Sequence, residues 1–212
     1  MAPLKTHRTA VVAIPPAELW EPIQAIRRRH DRQVRRWMPH ITLLYPFVPP
    51  SEFASALPEL AAACATIAPF TVTLATFRYF VHARGTATLW LAPQPPQPLV
   101  ALQAALQARF PAYDEQSRFA GGFTPHLSVG QAPSLAAARH LLAQLQATWQ
   151  PLCFQLTAVA LICREARGPF GVHAWLPLGP SSAALGASGS PSPAPGAACS
   201  QKTLLPGRGK PD

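Results

Sequence analysis

The chain has 212 residues, 49% of them hydrophobic, and its 18 Lys plus Arg against 9 Asp plus Glu give a formal net charge of +9. That is enough apolar material for one substantial core, or for two lobes sharing one. It contains no apolar run near the ~18 residues a membrane-spanning helix requires, and its first residues lack the apolar stretch of a secretory leader. Four cysteines, Cys64, Cys153, Cys163 and Cys199, show no C-x-x-C spacing, and three of them fall inside apolar patterns where a reduced thiol packs. A reducing compartment, cytoplasmic or nuclear, is expected, with no membrane association. Of the charged residues, 15 of the 18 basic and 8 of the 9 acidic ones precede residue 180, so the body of the protein is itself basic and suited to a polyanionic partner.

In chain order, a strand is predicted from Thr9 to Ile14, then a helix from about Pro16 with Glu18 and Glu21 near its positive end and Leu19, Ile23 and Ile26 as its buried stripe. The helix runs into Arg27-Arg28-Arg29-His30, followed by Arg32, Arg35 and Arg36. This cluster reads first as a solvated helix end whose cations complement the negative terminus, and second as an electrostatic funnel for phosphate. Next come the segment Pro39-His40-Ile41-Thr42-Leu43, a helical pattern from Ser51 to Leu57, a strand from Phe70 to Val81 and a strand from Thr88 to Leu91. Leu99, Leu102, Leu106 and Phe110 mark another helix, and Gly121-Gly122 loosens the chain ahead of Pro125-His126-Leu127-Ser128-Val129. A helical pattern from Ser134 to Leu142, a strand from Cys153 to Thr157 and a strand from His173 to Leu176 close the body. From Pro180 to Asp212 the chain is rich in Ser, Ala, Gly and Pro without apolar period, which predicts a folded unit over 1–179 and a disordered tail over 180–212.

The two five-residue segments say the same thing 86 residues apart: proline, histidine, apolar, hydroxyl, apolar. In an extended strand alternate side chains share a face, so His40 lies with Thr42 and His126 with Ser128, while Ile41, Leu43, Leu127 and Val129 point into a core. Either segment alone reads as an ordinary strand histidine. Together they supply two imidazoles and two hydroxyls, the groups that metal-free phosphodiester chemistry needs around one phosphorus. The parallel extends outward, since in each half the motif strand is followed by helix, strand and strand, with Trp90 and Trp175 at matching places.

These strings, Pro-His-Ile-Thr-Leu-Leu-Tyr-Pro-Phe (39–47) and Phe-Thr-Pro-His-Leu-Ser-Val-Gly (123–130), resemble the two-histidine phosphoesterase superfamily, within it the 2′-5′ RNA ligase-like proteins. The resemblance covers about residues 8–179, with serine replacing threonine at 128. It implies an α+β fold of two pseudo-symmetric lobes, each an antiparallel sheet flanked by helices, with both motifs across a central cleft. It also implies activity on 2′,3′-cyclic or 2′-5′ phosphodiesters, usually with no metal.

The residues then suggest their own chemistry. One motif histidine, neutral, takes a proton from the attacking water or ribose hydroxyl; the other, protonated, delivers one to the leaving oxygen. Thr42 and Ser128 donate hydrogen bonds to the nonbridging phosphoryl oxygens. No metal and no other cofactor is implied, because no carboxylate or thiolate completes a ligand set at a sensible spacing. If Phe70, Val72 and Leu74 pack under helices, alternation puts Phe77 and Tyr79 on the opposite face, shared with the histidines, where their rings would stack a nucleobase. The expected partner is an RNA end, an oligonucleotide or a cyclic nucleotide, and the expected state is a monomer. His7, His30, His82, His140 and His173 have no repeated partner and read as structural or surface residues. A module that binds nucleotide or RNA without turnover is the alternative, and a purely structural domain explains the duplicated motif least well.

Overall fold

The computed structural model describes residues 4–118 and 121–180. The predicted tail lies outside the described residues except for Pro180.

Among the described residues, eight strands and four α-helices follow in the order β1 (Thr9–Ala13), α1 (Trp20–His30), β2 (Ile41–Leu44), α2 (Phe53–Ala65), β3 (Phe70–Val81), β4 (Ala87–Gln94), α3 (Gln97–Arg109), β5 (Leu127–Ala132), α4 (Leu135–Thr148), β6 (Leu152–Leu156), β7 (Ala158–Cys163) and β8 (Gly171–Pro177). They form two four-stranded sheets with orders β2-β1-β7-β8 and β5-β4-β3-β6, every pairing antiparallel. The α+β reading with two related antiparallel sheets is therefore met. Each motif strand is the edge of its own sheet, β2 in the first and β5 in the second.

The repeat itself needs correction. Three strands, not two, follow α4, because Ala158–Cys163 forms β7 between the two segments read from sequence. By pairing, the spatial repeat is strand, helix, motif strand, helix, strand: β1, α1, β2, α2, β3 and then β4, α3, β5, α4, β7. In that register Trp90, paired with Ser128, occupies the place of Val12, paired with Thr42. Trp175 lies on β8, across from Ala160. The two tryptophans that look equivalent along the chain are not equivalent in place.

The apolar faces meet in one large core. Ile41, Leu43, Leu89, Leu91, Leu102, Leu127, Val129 and Leu161 are all fully buried within it. A smaller cluster on the other face of the first sheet gathers Ala10, Val12, Ile14, Ala160, Ile162 and Phe170, with Trp20, Trp37, Met38 and Tyr45 over it. The helices tie the halves together, since α1 packs on β5 and α3 on β2. At the first of these contacts Gly130 has no room for a side chain: a Cβ there would sit 2.6 Å from the Cβ of His30 and 3.0 Å from its carbonyl oxygen. Both atoms belong to or adjoin helix backbone, so α1 itself would have to move. Gly130→Ala should therefore destabilise the protein by about 1–3 kcal/mol, the usual cost of overpacking. Urea denaturation measures this, and an unchanged midpoint would show that α1 is not seated on β5 as described.

Candidate active site

Each motif histidine sits one residue ahead of its strand, and each ring is tethered in the same way. His40 Nδ1 lies 2.7 Å from the carbonyl oxygen of Met38, and His126 Nδ1 lies 2.8 Å from that of Thr124. A carbonyl only accepts, so in both rings Nδ1 carries the hydrogen and donates it, leaving Nε2 as the nitrogen free to take or give a proton. The backbone thus sets tautomer and ring orientation twice by one local device, a carbonyl two residues upstream.

Both motif strands also carry a β-bulge directly after the hydroxyl residue. Along β1, Val12 pairs with Thr42 and Val11 with Leu44, leaving Leu43 as the extra residue; along β4, Trp90 pairs with Ser128 and Leu89 with Gly130, leaving Val129 extra. A bulge changes which side chains share a face. Thr42 shares the face of Val12, and Gln131, three residues after Ser128, joins Ser128 on the cleft side.

A cavity of about 240 Å³ between the sheets is lined by His40 and Ser128 together with Arg27, Asp31, Gln33, Trp37, Thr88 and Gln131. Strands β2 and β5 approach each other here. His126 is close enough for its charge to act on His40. The structure thus brings His40, Ser128 and His126 to one region, with Thr42 two residues along β2 from His40. A larger groove of about 420 Å³ between α1 and the end of α4, lined by Pro22, Ile26, Leu145 and Leu152 among others, contains neither motif.

Electrostatically, the cleft favours neutral rings. Burial pushes His40 down to about 4, helped by the positive charges of Arg27 and His126 and opposed by its carbonyl tether and by Asp31. Burial also holds His126 below the ordinary histidine value, again against its carbonyl tether. The aromatic surroundings differ between the two. His40 lies flat on Trp37 (centroids 4.6 Å apart, planes at 17°), and Trp37 in turn stacks on Phe170 at 3.8 Å. His126 instead meets Phe80 and Trp90 edge-on, at 5.1 and 5.9 Å.

Those contacts correct the expectation for Phe77 and Tyr79. Between Leu74, paired with Pro93, and Thr76, paired with Ala92, a bulge at Ala75 inverts the alternation of β3. Phe77 therefore joins Val72 and Leu74 on the core face, 2% exposed and edge-on to Trp149, and Tyr79 packs against the same core beside Arg139. Neither ring shares the histidines' face. Phe80 and Trp90 do, stacked on each other at 4.7 Å.

Sequence reasoning also missed the base of the cavity. Arg27 and Asp31 form an ion pair (Nε to Oδ2, 2.8 Å) with side chains only 3% and 2% exposed. Arg27 also donates to Gln24 Oε1 at 3.1 Å, while Asp31 Oδ1 accepts from the Gln33 backbone N–H at 2.9 Å and from Gln131 Nε2 at 3.1 Å. Of the arginines preceding His40, this one is turned inward; Arg28, Arg29, Arg32, Arg35 and Arg36 are less buried, and Arg28 pairs with Glu21 on the surface. The available signal was spacing: Ile23, Arg27 and Asp31 recur every four residues, which continues the buried stripe through the charged pair. Gln131 carried no such signal, because only the bulge at Val129 brings it to this side.

The sequence matches the 2′-5′ RNA ligase superfamily over residues 15–168. The chain belongs to that superfamily. Among solved structures of the fold, Escherichia coli LigT complexed with ATP is 23% identical with a TM-score of 0.55, the match covering 82% of this chain and 98% of that one. LigT complexed with 3′-AMP is 22% identical (TM-score 0.53, 81% and 98% covered). TT0787 of Thermus thermophilus is 20% identical (TM-score 0.54, 81% and 97% covered). At these identities the likeness is one of fold. No curated protein matches the sequence. Membership of the superfamily makes this a protein of the phosphoesterase type, in line with the resemblance carried by the two motifs. Among the described residues, no helix is long and apolar enough to cross a membrane, and no three His, Cys, Asp or Glu side chains are grouped to hold a metal ion.

Proposed function

We propose that this protein is a metal-independent phosphodiesterase, its activity carried by residues 1–179, acting on 2′,3′-cyclic phosphate or 2′-5′ phosphodiester bonds of RNA ends, oligonucleotides or cyclic nucleotides. The observation that carries this reading is the matched pair of imidazoles, each with Nδ1 bonded to a carbonyl and Nε2 left for proton transfer. With phosphate between them, one Nε2 takes the proton of the attacking water or ribose hydroxyl as the new P–O bond forms. The other ring, protonated, hands its proton to the ribose oxygen as the old P–O bond breaks. Thr42 and Ser128 donate to the nonbridging oxygens, and the buried Arg27–Asp31 pair holds Gln131 at the cavity wall.

The lowered pKa values set the pH profile of this mechanism. The base must be neutral, so kcat/KM falls as pH drops through its pKa; the acid must be protonated, so kcat/KM falls as pH rises through the other. Both free-protein values lie below the ordinary ~6.5 of histidine, one of them at about 4. The maximum of kcat/KM is therefore expected on the acid side of pH 6.5, whichever ring plays which part. The test is turnover of 2′,3′-cyclic mononucleotides and of 2′-5′ oligoadenylate in EDTA across pH 4–8. Turnover with an acidic optimum supports the proposal, whereas binding of both substrates without turnover would reassign the protein as a nucleotide-binding module.

A further inference from the structure

One wall beside the cleft extends well past the histidines. Directly paired residues share a face, so the row Thr42–Val12–Ala160–Trp175 crosses the first sheet on the cleft side. Val12 and Ala160 are buried, yet Trp175 at the far end is 55% exposed. A bulge at His173 puts Val172, 41% exposed, on the same face as Trp175. Three strand spacings separate Trp175 from Thr42, or about 14 Å. A cyclic mononucleotide held by its phosphate between the hydroxyls does not span that distance, whereas a neighbouring nucleotide does.

Arginines border this face. Arg8, exposed in the turn just ahead of β1, accepts the Arg164 N–H on its carbonyl at 2.9 Å. The Arg164 guanidinium lies 5.5 Å from the Phe170 ring centroid, fixed by bonds from Nη1 to the carbonyls of Glu165 and Ala166. The Arg36 carbonyl accepts the Phe170 N–H at 2.9 Å, and the charges of Arg36 and Arg164 both act on the Tyr45 hydroxyl. Tyr45 meets Trp37, the ring on which His40 is stacked. Cations and rings are thus continuous from His40 to the outer part of the sheet, with the exposed Glu165 as the acidic residue next to Arg164.

We infer that this face binds single-stranded RNA flanking the reactive phosphate, Trp175 stacking a base beyond the reacting nucleotide while Arg8, Arg36 and Arg164 follow the backbone, so that the substrate class is an RNA end rather than a free cyclic nucleotide. Exposed rings beside arginines are the combination by which proteins hold single strands of varied sequence. The inference rests on the phosphodiesterase reading for its substrate and on the sheet face alone for binding.

The experiment compares wild type, Trp175→Ala and Trp175→Phe on an RNA oligonucleotide ending in 2′,3′-cyclic phosphate and on a 2′,3′-cyclic mononucleotide. The ratio of the two kcat/KM values should fall at least about fivefold in W175A, the lower end of a base-stacking contribution, and return towards wild type in W175F. In a second arm, fluorescence anisotropy follows binding of labelled single-stranded RNA with salt. The double variant Arg8→Ala/Arg36→Ala should flatten the log–log salt slope by about 1.4, the single-strand value for two phosphate contacts. An unaltered ratio, or RNA binding indifferent to both W175A and the arginine change, overturns the inference. If no substrate is turned over but W175A weakens RNA binding and W175F restores it, the phosphodiesterase reading falls and the RNA-binding face stands.

Discussion

Replacing His40 or His126 with glutamine lowers kcat by about two to four orders of magnitude while the far-UV circular dichroism spectrum stays that of the wild type. The magnitude follows from what each ring is asked to do. A positioned general acid or base typically contributes a factor of about 10²–10⁴, and here each Nδ1 is already committed to a carbonyl, so Nε2 has no substitute in either half. The fold tolerates the change because both rings border the cleft and neither belongs to the buried core. Because both rings act on one phosphorus, the double variant should be scarcely slower than the worse single variant. Steady-state kinetics on the cyclic mononucleotide decides this. A single variant that keeps more than about a tenth of wild-type kcat would mean that its ring is not a proton carrier.

The second large effect is on stability. Asp31→Ala removes the partner of a guanidinium that is almost wholly enclosed, and it also strands the Gln33 N–H and the Gln131 amide, both of which donate to Asp31 Oδ1. Breaking a buried pair from one side costs about 3–5 kcal/mol, because the remaining charge is left without compensation. At the usual 2–4 °C per kcal/mol for a chain of this size, the melting temperature should fall by about 10 °C. Replacing both partners, as in Arg27→Met/Asp31→Leu, should recover most of that loss, since no charge is then left buried. Thermal denaturation of the single and double variants separates the two cases. A single variant as stable as wild type would show that Arg27 reaches water once Asp31 is gone.

What could be read from sequence, and what could not, divides along physical lines. The motif faces were legible because His-x-Thr and His-x-Ser span only one alternation, too short for irregularity to intervene, and Ile41, Leu43, Leu127 and Val129 are indeed buried. Over the twelve residues of β3 the same rule failed: the extra residue at Ala75 moved Phe77 and Tyr79 to the core face and gave Phe80 their place. Nothing in Leu74-Ala75-Thr76 marks a bulge. Arg27 was read among surface cations because charge usually means exposure, and its burial becomes sensible only once Asp31 is seen four residues on. The partition of strands between sheets was equally out of reach. Chain order suggests that each half builds its own sheet, whereas β3 of the first half pairs with β4 and β6 of the second, and β7 of the second pairs with β1 of the first.

That exchange of strands has a mechanical result. Since β2 and β5 are borders of separate sheets, no ladder of backbone bonds fixes the gap between His40 and His126. The two rings ride on opposing jaws, and the opening is calibrated by how α1 beds on β5 and α3 on β2. Substitutions on the buried faces of these helices, at Ile23 of α1 or Leu106 of α3 for instance, should thus reset the reach between the jaws without touching either imidazole, leaving the chemistry intact while changing the size of what fits.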